Sequence, residues 1–200
     1  MNSPYTVLPN SPLLPGTGFG PDTKPLTLVR LDSPAVTVMT DFSTVAPVTI
    51  DPETSIELAV AKMKTAAVRL LFVVNDVDQI IGLITARDIL GERPVKITEA
   101  SRKRHSDIKV VEIMTPQSAI QVLDASRVQD ATVGDIVETM QARERQHALV
   151  ATVDPATGQQ HVTGMFSTTQ IGRRLGRDVA PLTPPVPPAG SLAEIVAKMT

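Results

Sequence analysis

Apolar positions along this chain change their period in a fixed order. Val48 and Ile50 alternate with Pro47 and Thr49, the pattern of a short strand, and Asp51-Pro52 then makes a turn. Thr54 or Ser55 can cap a helix on which Ile56, Ala59, Val60 and Met63 recur at i, i+3, i+4 and i+7. Residues 70–74 are a continuous apolar run of strand length. Asn75-Asp76-Val77-Asp78 supplies a turn, and residues 80–85 form the return strand of a hairpin. Residues 86–90 start a short helix, with Gly91 close to its end. The predicted unit is strand, helix, strand, strand, helix.

The same order recurs later in the chain. The stretch 130–140, ending in Met140, parallels 53–63, ending in Met63. Residues 148–153 parallel the strand at 70–74, and Gly164-Met-Phe-Ser-Thr-Thr-Gln170 parallels Gly82-Leu-Ile-Thr-Ala-Arg-Asp88. The offset is 77 residues at the methionines and 82 at the glycines, so the second hairpin has a longer turn, at 154–160. Two motifs agreeing in order and spacing on the same predicted elements mark an internal repeat. A three-stranded sheet with helices on one face leaves its other face apolar and is marginal alone. Two copies can pack sheet to sheet about a pseudo-two-fold axis, giving one α/β (α+β) module with clefts where corresponding edges meet.

Proline sets the boundaries. Seven of the 17 prolines lie in 1–34 and five in 181–188. This suggests a Pro/Gly-rich N-terminal arm at 1–34, a first repeat at 35–100, a second at 101–178, and a Pro-rich linker with a short helix at 179–200. That last helix would carry the stripe Leu192, Ile195, Val196 and Met199, and it is expected to dock on its own molecule. Within the arm, the GTGFG at 16–20 follows no strand and opens no helix, so it does not read as a phosphate loop.

Composition removes several function classes. The absence of Cys among 200 residues excludes disulfides, thiolate zinc sites and a Cys nucleophile. Three separated histidines, His105, His147 and His161, argue against a His-based metal centre. An aromatic content of 2% disfavours base-stacking nucleic-acid readers, and a net charge of −2 provides no global basic field. The start has no basic region followed by an apolar one, and the longest apolar stretch, 66–74, is interrupted by Arg69. A soluble, cytoplasmic protein with no membrane contact is expected. No Gly-x-Ser-x-Gly, Walker or His-Glu-x-x-His motif is present, so the chain is not expected to be an enzyme.

The ordered set Pro47-Val-Thr-Ile-Asp-Pro52 with Thr54-Ser-Ile56, the helix ending in Met63, the apolar strand, and Gly82-Leu-Ile-Thr85-Ala-Arg-Asp88 resembles the CBS domain, named for cystathionine β-synthase. Ile113-Met-Thr-Pro116 resembles the start of a second copy, and the likeness spans about 35–178. The resemblance implies two βαββα repeats forming a Bateman module. It also implies a stand-alone regulatory role, a homodimer and an unidentified regulated protein. The implied ligand is adenosine-containing, namely AMP, ADP, ATP or S-adenosylmethionine, with no obligatory cofactor and no metal.

A Gly-x-x-Thr-x-x-Asp signature suits such a ligand. A carboxylate only accepts hydrogen bonds, so Asp88 can take both hydroxyls of a ribose, and the Thr85 hydroxyl lies beside it. Gly82 permits close packing or close ligand approach. By resemblance Val48, Thr49 and Ile50 border the adenine, and Arg69 can reach a phosphate. Thr85 and Asp88 equally suit a helix cap. The second repeat keeps a hydroxyl at Ser167 but has Gln170 in place of the acid, with His147 nearby. It should be the weaker nucleotide site. Arg173, Arg174 and Arg177 follow it on a helix end, where they complement the dipole and can reach a polyphosphate. Two other functions compete: a ligand-free scaffold, and a nucleic-acid-binding protein using Arg102, Lys103, Arg104, His105 and Lys109.

Overall fold

The structure, a computed structural model, describes residues 11–18, 28–101, 103–177 and 179. After a 3-10 turn at Ala35–Val38 come strands β1 (Thr40–Asp41) and β2 (Thr49–Ile50), helix α1 (Ile56–Thr65), the hairpin β3 (Leu70–Val74) and β4 (Ile80–Thr85), and α2 (Ala86–Leu90). The chain continues through α3 (Glu92–Ser101), α4 (Val110–Ile113), β5 (Thr115–Pro116), β6 (Val122–Asp124), α5 (Ala125–Asp130) and α6 (Val133–Ala142). It closes with β7 (His147–Val153), β8 (Gln160–Ser167) and α7 (Thr168–Leu175). The C-terminal helix expected around Leu192 to Met199 lies outside the described residues, as do Arg102 and part of the N-terminal arm.

The elements form where the apolar period and the caps place them. Ser55 accepts the Leu58 N–H at the start of α1, and Thr132 with Asp135 forms a capping box on α6. Helices α3, α4 and α5 had no counterpart in the sequence reading. Pro94 reads as a breaker, yet it sits in the first turn of α3, where its missing N–H has no intrahelical partner to lose. Glu92 and Lys96 then pair at 2.8 Å across one turn. The Asp124 side chain accepts the Ser126 N–H and starts α5, which is too short to show a period.

There are two sheets of four strands, ordered β2-β3-β4-β5 and β1-β8-β7-β6. Three strands of each belong to one repeat and the fourth is lent by the other. Strand β5 lies antiparallel to β4, with Gly82 opposite Pro116, and β1 lies antiparallel to β8, with Gly164 opposite Asp41. The segments before these strands cross over as well. Ala35 N donates to Ala131 O at 2.9 Å and Val133 N to Ser33 O at 2.8 Å. In the other repeat, Val110 N donates to Thr54 O at 2.9 Å and Ile56 N to Ile108 O at 3.0 Å. Accordingly Ile108, Val110 and Ile113 are buried in the core of the first repeat, and Ala35 and Val38 in that of the second.

Strand β3 explains why both of its faces are apolar. Leu71 and Val73 point into the helix-side core, while Leu70 and Phe72 meet Leu149, Met165 and Val122 of the opposite sheet. Phe42 closes this layer edge-to-face on Phe72, with ring centroids 5.6 Å apart. Sheet-to-sheet packing of two repeats is therefore the observed architecture.

The two motif glycines are required by the exchange. A Cβ on Gly82 would lie 2.6 Å from Met114 Sδ and 2.8 Å from Thr115 O; one on Gly164 would lie 3.0 Å from Met39 Sδ and 2.8 Å from Thr40 O. Gly82→Ala should lower unfolding stability by about 1–3 kcal/mol, the usual cost of overpacking. Urea titration measures this. Adding Met114→Ala should not restore it, because the Thr115 carbonyl remains in the way.

Candidate functional site

Because each sheet borrows a strand, the clefts between the repeats are composite. One cleft, of about 400 Å³, holds Thr85 and Asp88 together with Arg87, Arg93, Thr115, Ile120 and the 144–147 segment before and into β7. The other, of about 850 Å³, holds Ser167, Gln170 and Arg173 together with residues 39–48, the end of α1 and Arg69. The end of one repeat's hairpin therefore faces the lead-in segment of the other.

In the smaller cleft the Thr85–Asp88 pair is a complete capping box. Asp88 Oδ2 accepts from the Thr85 backbone N–H at 2.9 Å and from its hydroxyl at 2.7 Å, while Asp88 N–H donates to Thr85 Oγ1 at 3.3 Å. The structural role weighed for this pair is thus present. It consumes only one carboxylate oxygen. Asp88 Oδ1 faces Arg93 Nη1 at 3.4 Å, and the same guanidinium nitrogen donates to Ile113 O at 2.8 Å. Arg93, on the unanticipated helix α3, thereby fixes the outer edge of the cleft. Arg87 and Arg145 also line the cleft, with Glu144 beside Arg145.

The expected site residues are divided between the two clefts. Val48 and Arg69 line the cleft of Gln170 and do not join Thr85 and Asp88. Ile50 is buried in the first core at 5% exposure, and neither it nor Thr49 lines a cleft. Gly82 serves close packing against Met114 and Thr115. Of the residues that do approach Asp88, Arg93 was missed with helix α3, and Ile120 and Arg145 because the packing of the second repeat that brings them there leaves no local pattern in the sequence. The matching of Ile113-Met-Thr-Pro116 with the segment before β2 was the one usable signal.

In the larger cleft the helix start is wired differently. The Thr40 hydroxyl donates to Gln170 Oε1 at 2.8 Å, a bond that again crosses between the repeats, and Ser167 makes no capping bond. Asp41 stands on β1 where Pro116 stands on β5; hydrogen bonds from Ser43 hold its carboxyl below the usual range. His147 lines both clefts. Burial, and secondarily the Arg69 guanidinium, push its imidazole from the ordinary 6.5 down to about 4, with Asp88 pulling the other way.

The basic run between the repeats is neutralised locally. Lys103 pairs with Glu112 at 2.6 Å and Arg104 with Asp107 at 3.0 Å. Among the described residues no cluster of His, Cys, Asp and Glu could hold a metal, and no helix is long and apolar enough to cross a membrane.

Comparison with known proteins fits this geometry. Residues 29–94 match the family model described as CBS domain. An uncharacterized conserved protein from Pyrococcus horikoshii is 21% identical, with 72% of this chain and 93% of that one covered at a TM-score of 0.51. A protein from Methanocaldococcus jannaschii is also 21% identical, covering 70% of this chain and 49% of its own at 0.51. A structure described as a CBS domain is 22% identical, covering 70% and 96% at 0.49. At these identities the likeness is one of fold. No curated protein matches the sequence.

The partly buried His147 imidazole makes stability depend on pH. The folded state holds His147 at about 4 and the unfolded chain at about 6.5, so the unfolded state binds the extra proton between these values. The neutral-imidazole contribution is complete above pH 6.5 and is lost as the pH falls toward 4. A loss of at most about 3 kcal/mol is expected across that window. Denaturant titrations at several pH values should show it. His147→Leu, which installs the residue that its counterpart Leu70 already is, should flatten the slope.

Proposed function

We propose that this chain, whose residues 29–94 match the CBS-domain model and whose two repeats pack as a pair, is a regulatory CBS pair that binds an adenine nucleotide in the cleft of Thr85 and Asp88. One observation carries the reading. The capping box leaves Asp88 Oδ1 without a hydrogen-bond donor closer than Arg93, at 3.4 Å, inside a cleft lined by Arg87, Arg93, Glu144 and Arg145. A carboxylate oxygen facing an open volume suits a ribose hydroxyl, and guanidinium groups suit phosphate. The Gln170 cleft offers no carboxylate at the matching position to receive a ribose hydroxyl.

The regulatory mechanism is differential binding. Both clefts are walled by both repeats, so an occupant touches both and favours the arrangement in which those walls fit it. A homodimer and an unidentified partner protein would read that arrangement. Leu58, on α1, is 62% exposed and offers apolar surface for such an association. The role is regulatory rather than catalytic, and the protein is assigned to the cytoplasm.

Calorimetric titration with AMP, ADP, ATP and S-adenosylmethionine tests the reading. At least one should bind, and Asp88→Asn, which keeps an oxygen for the cap but loses the charge, should weaken it by about 10–100-fold, the worth of a charge-assisted hydrogen bond. Binding that Asp88→Asn leaves unchanged would place the ligand elsewhere, and no binding at all would leave the ligand-free scaffold as the better account.

A further inference from the structure

The larger cleft differs from the nucleotide cleft in volume, in its apolar lining and in the polar groups at its helix start. We propose that it is a separate site for an organic anion with an apolar body and no ribose. Its volume of about 850 Å³ is roughly twice the 400 Å³ of the Asp88 cleft. Its walls are apolar side chains from both repeats, among them Val48, Val60, Met63, Phe72 and Met165. Val48 and Pro47 line this cleft, whereas of their register equivalents Gln121 and Ile120 only Ile120 lines the Asp88 cleft.

The polar groups have also changed sense. Asp88 presents a carboxylate, which can only accept. The oxygen of Gln170 already accepts from the Thr40 hydroxyl, so its free hydrogens are those of the amide nitrogen, which donate. Ser167 keeps its hydroxyl free of any cap bond. The helix start thus offers donors to a ligand oxygen instead of an acceptor to a ribose diol.

Charge points the same way. Lys64, Arg69 and Arg173 line this cleft, and none of them forms an ion pair among the described residues. The one carboxylate in the lining, Asp41, accepts the Ser43 N–H at 2.8 Å. An aryl or acyl chain ending in a carboxylate, sulfonate or phosphate satisfies all three conditions. It buries its body on the valines and methionines and places its anion among Lys64, Arg69, Arg173 and the Gln170 amide.

Anilinonaphthalene sulfonate, an aromatic anion that fluoresces when desolvated, is the probe. The intact chain should bind it saturably, one per chain. The double variant Arg69→Glu, Arg173→Glu should weaken this by about tenfold or more, while Asp88→Asn and saturating ATP should leave it unchanged. Both side chains are exposed, and thermal melts confirm that the variant is folded. Val48→Asp, which places a like charge in the apolar wall, gives an independent second loss. Absent or non-saturable fluorescence overturns the proposal. So does displacement of the dye by ATP, or loss of dye binding on Asp88→Asn, since either would make the two clefts one site. Failure of AMP, ADP, ATP and S-adenosylmethionine all to bind, with the dye response intact, would refute the nucleotide reading and leave this one standing.

Discussion

The close passage of one repeat's leading strand over the other repeat's motif glycine is the contact on which the remaining architecture depends. Met114 and Thr115 lie where a Gly82 side chain would be, and Met39 and Thr40 where a Gly164 side chain would be. Two short strands, β1 and β5, are thereby paired on the far sheet, and the turns before them fill the far core through Ala35, Val38, Val110 and Ile113. Neither repeat has a complete sheet or core without the other. An isolated three-stranded unit would leave an edge unpaired and a core short of those apolar residues.

The exchange also determines what the clefts contain. A helix start such as Thr85–Asp88 is built locally, by a capping box, and would be the same in any strand-to-helix junction. It faces Ile120 and Arg145 only because the second repeat's lead-in lies over β4. The two clefts are related by the repeat but differ in residue type at corresponding places: Asp88 and Ile120 in one, Gln170 and Pro47 in the other.

His147 shows how tightly the clefts are joined. It replaces the Leu70 of the first repeat at the start of the central strand, so a titratable ring occupies a position built for an aliphatic side chain. It lines both clefts, with Arg69 and Asp88 acting on it in opposite senses. Desolvation outweighs both, and the ring stays neutral near neutrality.

The sequence alone determined the local elements and their duplication. Helix period, the apolar strand at Leu70–Val74, the caps at Ser55 and Thr85 and the turn at Asn75 are short-range properties, dictated by side-chain periodicity and backbone hydrogen bonding. The resemblance carried by Gly82, Thr85 and Asp88 was legible for the same reason, since those residues lie within one strand-helix junction. Helix α3 was hidden by Pro94, a residue whose meaning depends on where the first turn begins. Only the tertiary structure decided that Val48 and Arg69 face Gln170 while Asp88 faces Arg93 and Arg145. Apart from Arg93, which the unannounced helix α3 places, those pairings come from strands hydrogen-bonded across tens of residues, and a two-residue strand such as β1 or β5 has too little pattern of its own to announce its partner.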